Sequence, residues 1–199
     1  MSTERPRQLT YMERAARFPL DFAVSLASGT PAITVPATWQ GLNLTRIGPY
    51  VLQKGGKFSP RVNLAAAPVL SEFLRAIFIT HGIGVDVLSY DGGFNPRLKR
   101  GVTAPLPGAP KEAWGKLLSN HSRGTAIDLN AAQNPMGKPG AAPGEPGSLH
   151  RIIDIAHTIR VDVETPHGHI WPAGIVCGAD WSGKSRDDMH FEVGTWERS

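Results

Sequence analysis

Apolar and polar residues alternate in three separate stretches of the chain. In "GTAIDLN", period-two spacing puts Ala126, Asp128 and Asn130 on one face and Ile127 and Leu129 on the other, which predicts a strand. In "DMHFEVG", His190 and Glu192 share one face while Met189, Phe191 and Val193 share the other, predicting a second. "IGVDVLSY" also alternates, through Ile83, Val85 and Val87, and reads as a strand. Helical spacing appears over 64–80, where Val69, Leu70, Phe73, Leu74 and Ile77 fall on one side and Gly82 supplies a stop. A second helix is expected over "LHRIIDIAHTIR", capped by Ser148, with Leu149, Ile152, Ile153, Ala156 and Ile159 inward. Thr10 and Glu13 fit a capping box that opens a short helix, "YMERAARF". The glycine- and proline-rich stretch 134–147 reads as a surface loop, the stretch 91–101 as a turn, and 102–116 as a loop. Residues 1–45 are turn-rich and read as an N-terminal extension of unassigned role; 46–199 read as the main domain.

With 199 residues, 41% hydrophobic, the chain is long enough for one domain with a real core. Its 22 glycines and 17 prolines favour a loop-rich α+β fold over a helix bundle. The single cysteine, Cys177, excludes an internal disulfide framework and cysteine-rich zinc modules, and nothing marks it as an activated nucleophile. Any metal site must therefore draw on carboxylates and the seven histidines. The formal charge of +4 favours anionic partners in a general way. Basic residues are scattered, without interleaved aromatics, so nucleic-acid binding is not expected. No window approaches the roughly 18 apolar residues of a membrane span, and no secretory leader is visible. The expectation is a protein made in a cytoplasm and not inserted in a membrane, which reaches any external target by release or carriage.

Each of the two strands presents an ionisable group on its polar face. Asp128 inside an apolar run needs a cation or donors, because an unpartnered buried carboxylate is costly. His121 stands at the mouth of that strand, and His190 lies on the other strand. One cation held by His121, Asp128 and His190 accounts for all three, and two imidazoles with one carboxylate leave a fourth tetrahedral position for water. Asp187 or Asp188 lies close enough to His190 to act as a general base; spacing alone does not separate them. His167 and His169 form a second pair without an accompanying carboxylate motif.

These residues match a known pattern. "SNHSRGTAID" fits Ser-x-His-x-x-Gly-x-Ala-x-Asp and "DDMHFE" fits Asp-x-x-His-Phe-Glu. Together, over about 60–196, they resemble the M15 family of zinc peptidases, which includes D-alanyl-D-alanine carboxypeptidases and the L-alanyl-D-glutamate endopeptidases of phage endolysins. The resemblance implies a small α+β fold like that of the Hedgehog signalling domain and DD-peptidases, an antiparallel sheet flanked by helices. It implies Zn2+ held by His121, Asp128 and His190, with Asp187 rather than Asp188 as the base. "SYDGGFNPRLKRG" resembles the endolysin-branch segment that carries a substrate arginine, placing Arg97 in that role with Arg100 as the alternative. Ser119 and Glu192 are implied as hydrogen-bonding supports, and Asp180 and Trp181 of "CGADW" as residues near the cleft. Three departures border the implied groove: Cys177 where an aromatic is usual, Ser122-Arg123 after the first histidine, and a long 101–117 loop. The resemblance implies a monomer acting on peptidoglycan, with L-Ala–D-Glu endopeptidase activity ahead of D-Ala-D-Ala carboxypeptidase activity. A phage-particle protein that keeps zinc for structure alone is the non-enzymatic alternative.

Overall fold

The computed structural model describes residues 4–26, 31–165 and 168–197. In chain order the elements begin with helix α1 (Tyr11–Arg17), strands β1 (Ala23–Ser25) and β2 (Ala32–Thr34), and helix α2 (Ala37–Asn43). Four short strands follow: β3 (Leu44–Arg46), β4 (Tyr50–Val51), β5 (Lys57–Phe58) and β6 (Arg61–Asn63). Then come α3 (Ala67–Arg75), β7 (Tyr90–Gly92), α4 (Lys111–Leu117), β8 (Ala126–Leu129) and α5 (His150–Ala156). The chain closes with β9 (Arg160–Glu164), β10 (Ile170–Cys177) and β11 (His190–Thr195). The result is an α+β molecule. Its main sheet is antiparallel, in the order β7-β8-β11-β10-β9, with three two-stranded sheets beside it.

Strand alternation separates the two faces of the main sheet. Ile127, Leu129, Phe191, Val193 and Ile175 enter the principal core, where α3 packs on β9 and β10 and α5 packs on β10. Phe73 of α3 meets Phe191 with ring centroids 5.1 Å apart. Burying such side chains stabilises by roughly 1.5–3 kcal/mol each, so this face anchors the sheet. The opposite face of β8 and β11 carries Asp128, His190 and Glu192, and it too is buried. Antiparallel register sets His190 directly across from Asp128 and Glu192 across from Ala126.

The N-terminal segment covers that polar face. Arg7 pairs with Thr195 through reciprocal backbone hydrogen bonds of 2.9 and 3.0 Å, beyond the point where β8 ends. The capping box of α1 forms as its sequence indicates: the Glu13 N–H donates to Thr10 Oγ1 at 3.2 Å and the Thr10 N–H to Glu13 Oε2 at 2.7 Å. Leu9 and Phe18 are buried in the principal core.

Several local expectations are corrected. The stretch 83–90 is not one strand: Gly84–Asp86 form a 3-10 turn, and only Tyr90 enters a strand, β7. Ile83 and Val87 are buried while Val85 is 57% exposed, because residues four apart share a side of a turn just as they do in alternation. The expected 102–116 loop contains the start of α4, which opens after Pro110 and buries Trp114. The helix expected over 64–80 does form, from Ala67 to Thr80, with its last five residues as a π-helical segment. Ser148 does not cap α5; its hydroxyl contacts His150 Nδ1, and Leu149 is the N-cap. Asn130 leaves the strand's polar face by adopting φ 51°, and its amide accepts from the Leu88 and Ser89 N–H groups.

Candidate metal and peptidase site

Three elements bring the site together. Ser119 caps the 3-10 turn Asn120–Arg123, accepting from the His121 N–H at 3.4 Å, and so aims the His121 ring at the sheet. Gly124 ends that turn at φ 69°, and a Cβ there would stand 2.7 Å from the Asn63 backbone nitrogen, so only glycine fits. β8 then supplies Asp128 and β11 supplies His190. Gly92 of β7 lies opposite Asp128 on its other side, where a Cβ would stand 3.9 Å from Asp128 Oδ2.

His121 Nε2 lies 3.2 Å from Asp128 Oδ1 and 3.2 Å from His190 Nδ1, and His190 Nδ1 lies 3.0 Å from Asp128 Oδ1. All three residues are buried. Tetrahedral zinc ligands sit about 2.0–2.2 Å from the ion and hence about 3.3 Å from one another, close to this triangle. The far ring nitrogens fix the tautomers. His121 Nδ1 lies 2.8 Å from the Gly93 carbonyl, which only accepts, so Nδ1 carries the proton. His190 Nε2 lies 2.9 Å from Glu192 Oε2 and donates to it. Two imidazole lone pairs and a carboxylate therefore converge on one point, an arrangement that calls for a cation. The donor set of two nitrogens and an oxygen suits zinc.

Electrostatics agree. Burial opposes the charged form of Asp128, yet His121 and His190 outweigh it and hold the carboxyl well below its usual range. Burial likewise opposes a charge on His190, but Asp128 and Glu192 raise it to about 10. The pocket thus favours positive charge where the three ligand atoms meet. Glu192 is itself tied to its surroundings: it accepts from Gln8 Nε2 at 3.0 Å and from the Asn120 amide.

Asp187 and Asp188 have different surroundings. Asp188 is forked by Arg186 at 2.6 and 2.8 Å and accepts from the Gly140 N–H at 3.0 Å. Asp187 is buried, and its Oδ1 has no hydrogen-bond partner among the described residues. Burial, with a contribution from Asp128, raises its carboxyl above the ordinary range despite His190 and Arg100. It lines a cavity of about 340 Å³ together with Arg97, Ser119, Trp181, His190 and Glu192. Gly178 holds Asp187 in place: it accepts the Asp187 N–H at 3.0 Å, and a Cβ on it would meet the Asp187 backbone.

Arg97 reaches the cavity from the segment after β7; its N–H donates to Ser122 Oγ at 2.9 Å, and burial lowers its guanidinium pKa while Asp128 opposes this. Arg100 lines the same cavity and is more exposed. Trp181 stacks obliquely on His190 with centroids 5.4 Å apart. Asp180 is not among the cavity residues. It pairs with Arg5, and with His157 at 2.8 Å, so the nearby grouping of His157, Cys177 and Asp180 is already charge-satisfied. Burial pushes the Cys177 thiol well up, which leaves it inert. His169 is exposed on the β9–β10 hairpin, and its neighbour His167 lies outside the described residues. Sequence reasoning missed Gln8, Arg14, Lys99 and Asn120 as cavity residues. Only the motif position of Asn120, beside His121, carried any signal for one of them.

Residues 113–193 match the family model described as D-alanyl-D-alanine carboxypeptidase, which supports an M15 family peptidase. The matched span contains His121, Asp128, Asp187 and His190 but stops short of Arg97 and the N-terminal segment. No curated protein and no solved structure matches the chain. No described helix is long and apolar enough to cross a membrane.

Proposed function

We propose, from the premise that residues 113–193 are those of an M15 peptidase, that this chain is a zinc-dependent peptidase of the peptidoglycan stem peptide. The observation that carries the reading is the convergence of His121 Nε2, Asp128 Oδ1 and His190 Nδ1 within 3.0–3.2 Å of one another, beside a cavity lined by Asp187, whose buried Oδ1 has no hydrogen-bond partner among the described residues. Those three atoms would hold zinc. When bound, zinc supplies the positive charge that makes water acidic enough to attack near neutral pH and polarises the scissile carbonyl.

The chain's own groups do the rest. Asp187 takes a proton from the attacking water and passes it to the leaving amine nitrogen, work suited to a buried carboxylate with no competing donor on Oδ1. Arg97 forks onto the carbonyl oxygen or a neighbouring carboxylate of the peptide, staying charged throughout. Glu192 fixes the His190 ring, and Trp181 covers it from water. An active base position argues against a purely structural zinc protein, which has no use for Asp187. The peptidase unit is taken as 46–199. Residues 1–45 form an extension that contributes Gln8 and Arg14 to one wall of the cavity.

The preferred bond is L-Ala–D-Glu, because "SYDGGFNPR" resembles the endolysin branch at Arg97. D-Ala-D-Ala carboxypeptidase action is the second reading, favoured by the description of the matching family model. Mass spectrometry of muropeptides treated with the zinc-loaded protein distinguishes them. A new amino terminus on D-Glu is expected, loss of terminal D-Ala would support the second reading, and unchanged muropeptides would refute both.

A further inference from the structure

Four cations line the cavity beside the metal-ligand triangle: Arg14, Arg97, Lys99 and Arg100. None of them is in an ion pair with a described residue. The Lys99 ammonium reaches only the Lys116 carbonyl at 3.3 Å, and Arg97 Nη1 only the Leu98 carbonyl at 3.4 Å. Some part-buried cations elsewhere are neutralised, as Arg7 is by Glu13 and Arg17 by Glu197, while Arg61 and Arg123 stand singly and are met by neutral acceptors, Gln40 Oε1 and the Phe18 carbonyl. Other unpaired lysines, such as Lys54 and Lys138, stand out in solvent, whereas Arg14, Arg97 and Lys99 are half-buried. The cavity's own two carboxylates offset the four positive charges only in part: Glu192 acts on Arg14 and Lys99 but is hydrogen-bonded to His190, Gln8 and Asn120, and Asp187 acts on Arg97 and Arg100 without pairing with either.

This wall is built rather than incidental. Arg14 sits on α1, whose start is locked by the Thr10–Glu13 capping box and by the fork of Arg7 on Glu13 at 2.7 and 2.9 Å. Arg7 is itself stitched to β11, the strand that carries His190 and Glu192. Lys99 is held from the other side, its N–H donating to the Leu117 carbonyl at 2.8 Å. Burial, then the neighbouring Arg14, hold its ammonium below the ordinary lysine range. Like charges gathered in a partly dry wall repel one another, and a bound anion removes that repulsion.

We propose that Arg14, Lys99 and Arg100 form an anion subsite beside Arg97 that selects stem peptides by a free carboxylate, which makes helix α1 a specificity element of this chain. The choice of peptide rests on the peptidase reading. In a stem peptide the α-carboxyl of the γ-linked D-Glu is such a group, and its conversion to the amide removes the charge without changing the shape.

The test compares two probes, L-Ala-γ-D-Glu-L-Lys-D-Ala-D-Ala and its D-isoglutamine counterpart. Calorimetry on the zinc-loaded full chain at low salt reads affinity, and mass spectrometry of the same samples reads cleavage separately. The carboxylate peptide is expected to bind at least about tenfold more tightly, as a charge-assisted contact does over its neutral counterpart. That preference is expected to fall below about twofold in the Arg14→Gln/Arg100→Gln double variant, with Lys99→Gln giving an intermediate ratio; circular dichroism checks that each variant is folded. Equal affinity for the two probes, no binding of either, or an undiminished preference in the folded double variant would overturn the subsite. A preference that disappears in the variant, with neither peptide cleaved, would keep the subsite and sink the peptidase reading instead.

Discussion

At the scale of single residues, the account turns on two adjacent aspartates with opposite surroundings. Asp188 is consumed by Arg186 and the Gly140 N–H, while Asp187 lines the cavity and keeps a buried oxygen without a partner among the described residues. Neutralising each should therefore do different things. Asp187→Asn should lower kcat by roughly 10²–10⁴, the usual worth of general acid–base catalysis, with zinc content and melting temperature nearly unchanged. Asp188→Asn should instead cost about 1–3 kcal/mol of stability, by weakening charge-assisted bonds to a buried oxygen, with a smaller effect on turnover. Steady-state kinetics and thermal melts on the two variants check this, and the reverse pattern would assign the base to Asp188. Spacing alone left these two equivalent and the motif resemblance pointed to Asp187; their surroundings differ because Gly140 and Arg186 occupy Asp188.

At the scale of elements, α1 depends on Glu13. Its hydrogen bond from Arg7, with further help from Thr10, lowers its carboxyl to about 2 against the opposing effect of burial. A depressed acid contributes stability that is complete above its unfolded value, about 4.5, and is lost as pH falls toward 2. Glu13→Gln should thus melt below the parent at pH 6, with the gap closing between about pH 4.5 and pH 2; melting curves across that range test it. A constant gap would mean that the charge of Glu13 does not hold the helix. Elements were legible in the sequence where the pattern was local. β8 and β11 alternate cleanly because one face meets the core and the other the site. The capping box of α1 spans only Thr10 to Glu13. By contrast, β10 is buried along most of Ile170–Cys177, so it shows no alternation to read. The turn at 84–86 imitated a strand because Ile83 and Val87 satisfy both periods. Helix α4 hides in a proline-rich stretch because Pro110 precedes its first turn, where a proline is compatible with a helix start.

At the scale of the whole molecule, one sheet serves two purposes. Its core face fixes the register of β8 against β11, and that register places Asp128 beside His190 on the other face. The residues of the triangle were legible because each sits in a short motif. The cavity wall from Gln8 and Arg14 was not, because it depends on Arg7 pairing with Thr195 at the far end of the chain. Converging lone pairs in a buried site repel one another, so an ion that binds only the folded chain should stabilise it, by about 4 kcal/mol at a thousandfold excess over its dissociation constant. The most direct test of the account is a zinc titration of the metal-free full chain, read by equilibrium binding. It predicts one equivalent of tightly bound zinc per chain, lost in Asp128→Ala and in His190→Ala. Failure to bind zinc, or binding that survives both substitutions, would contradict it.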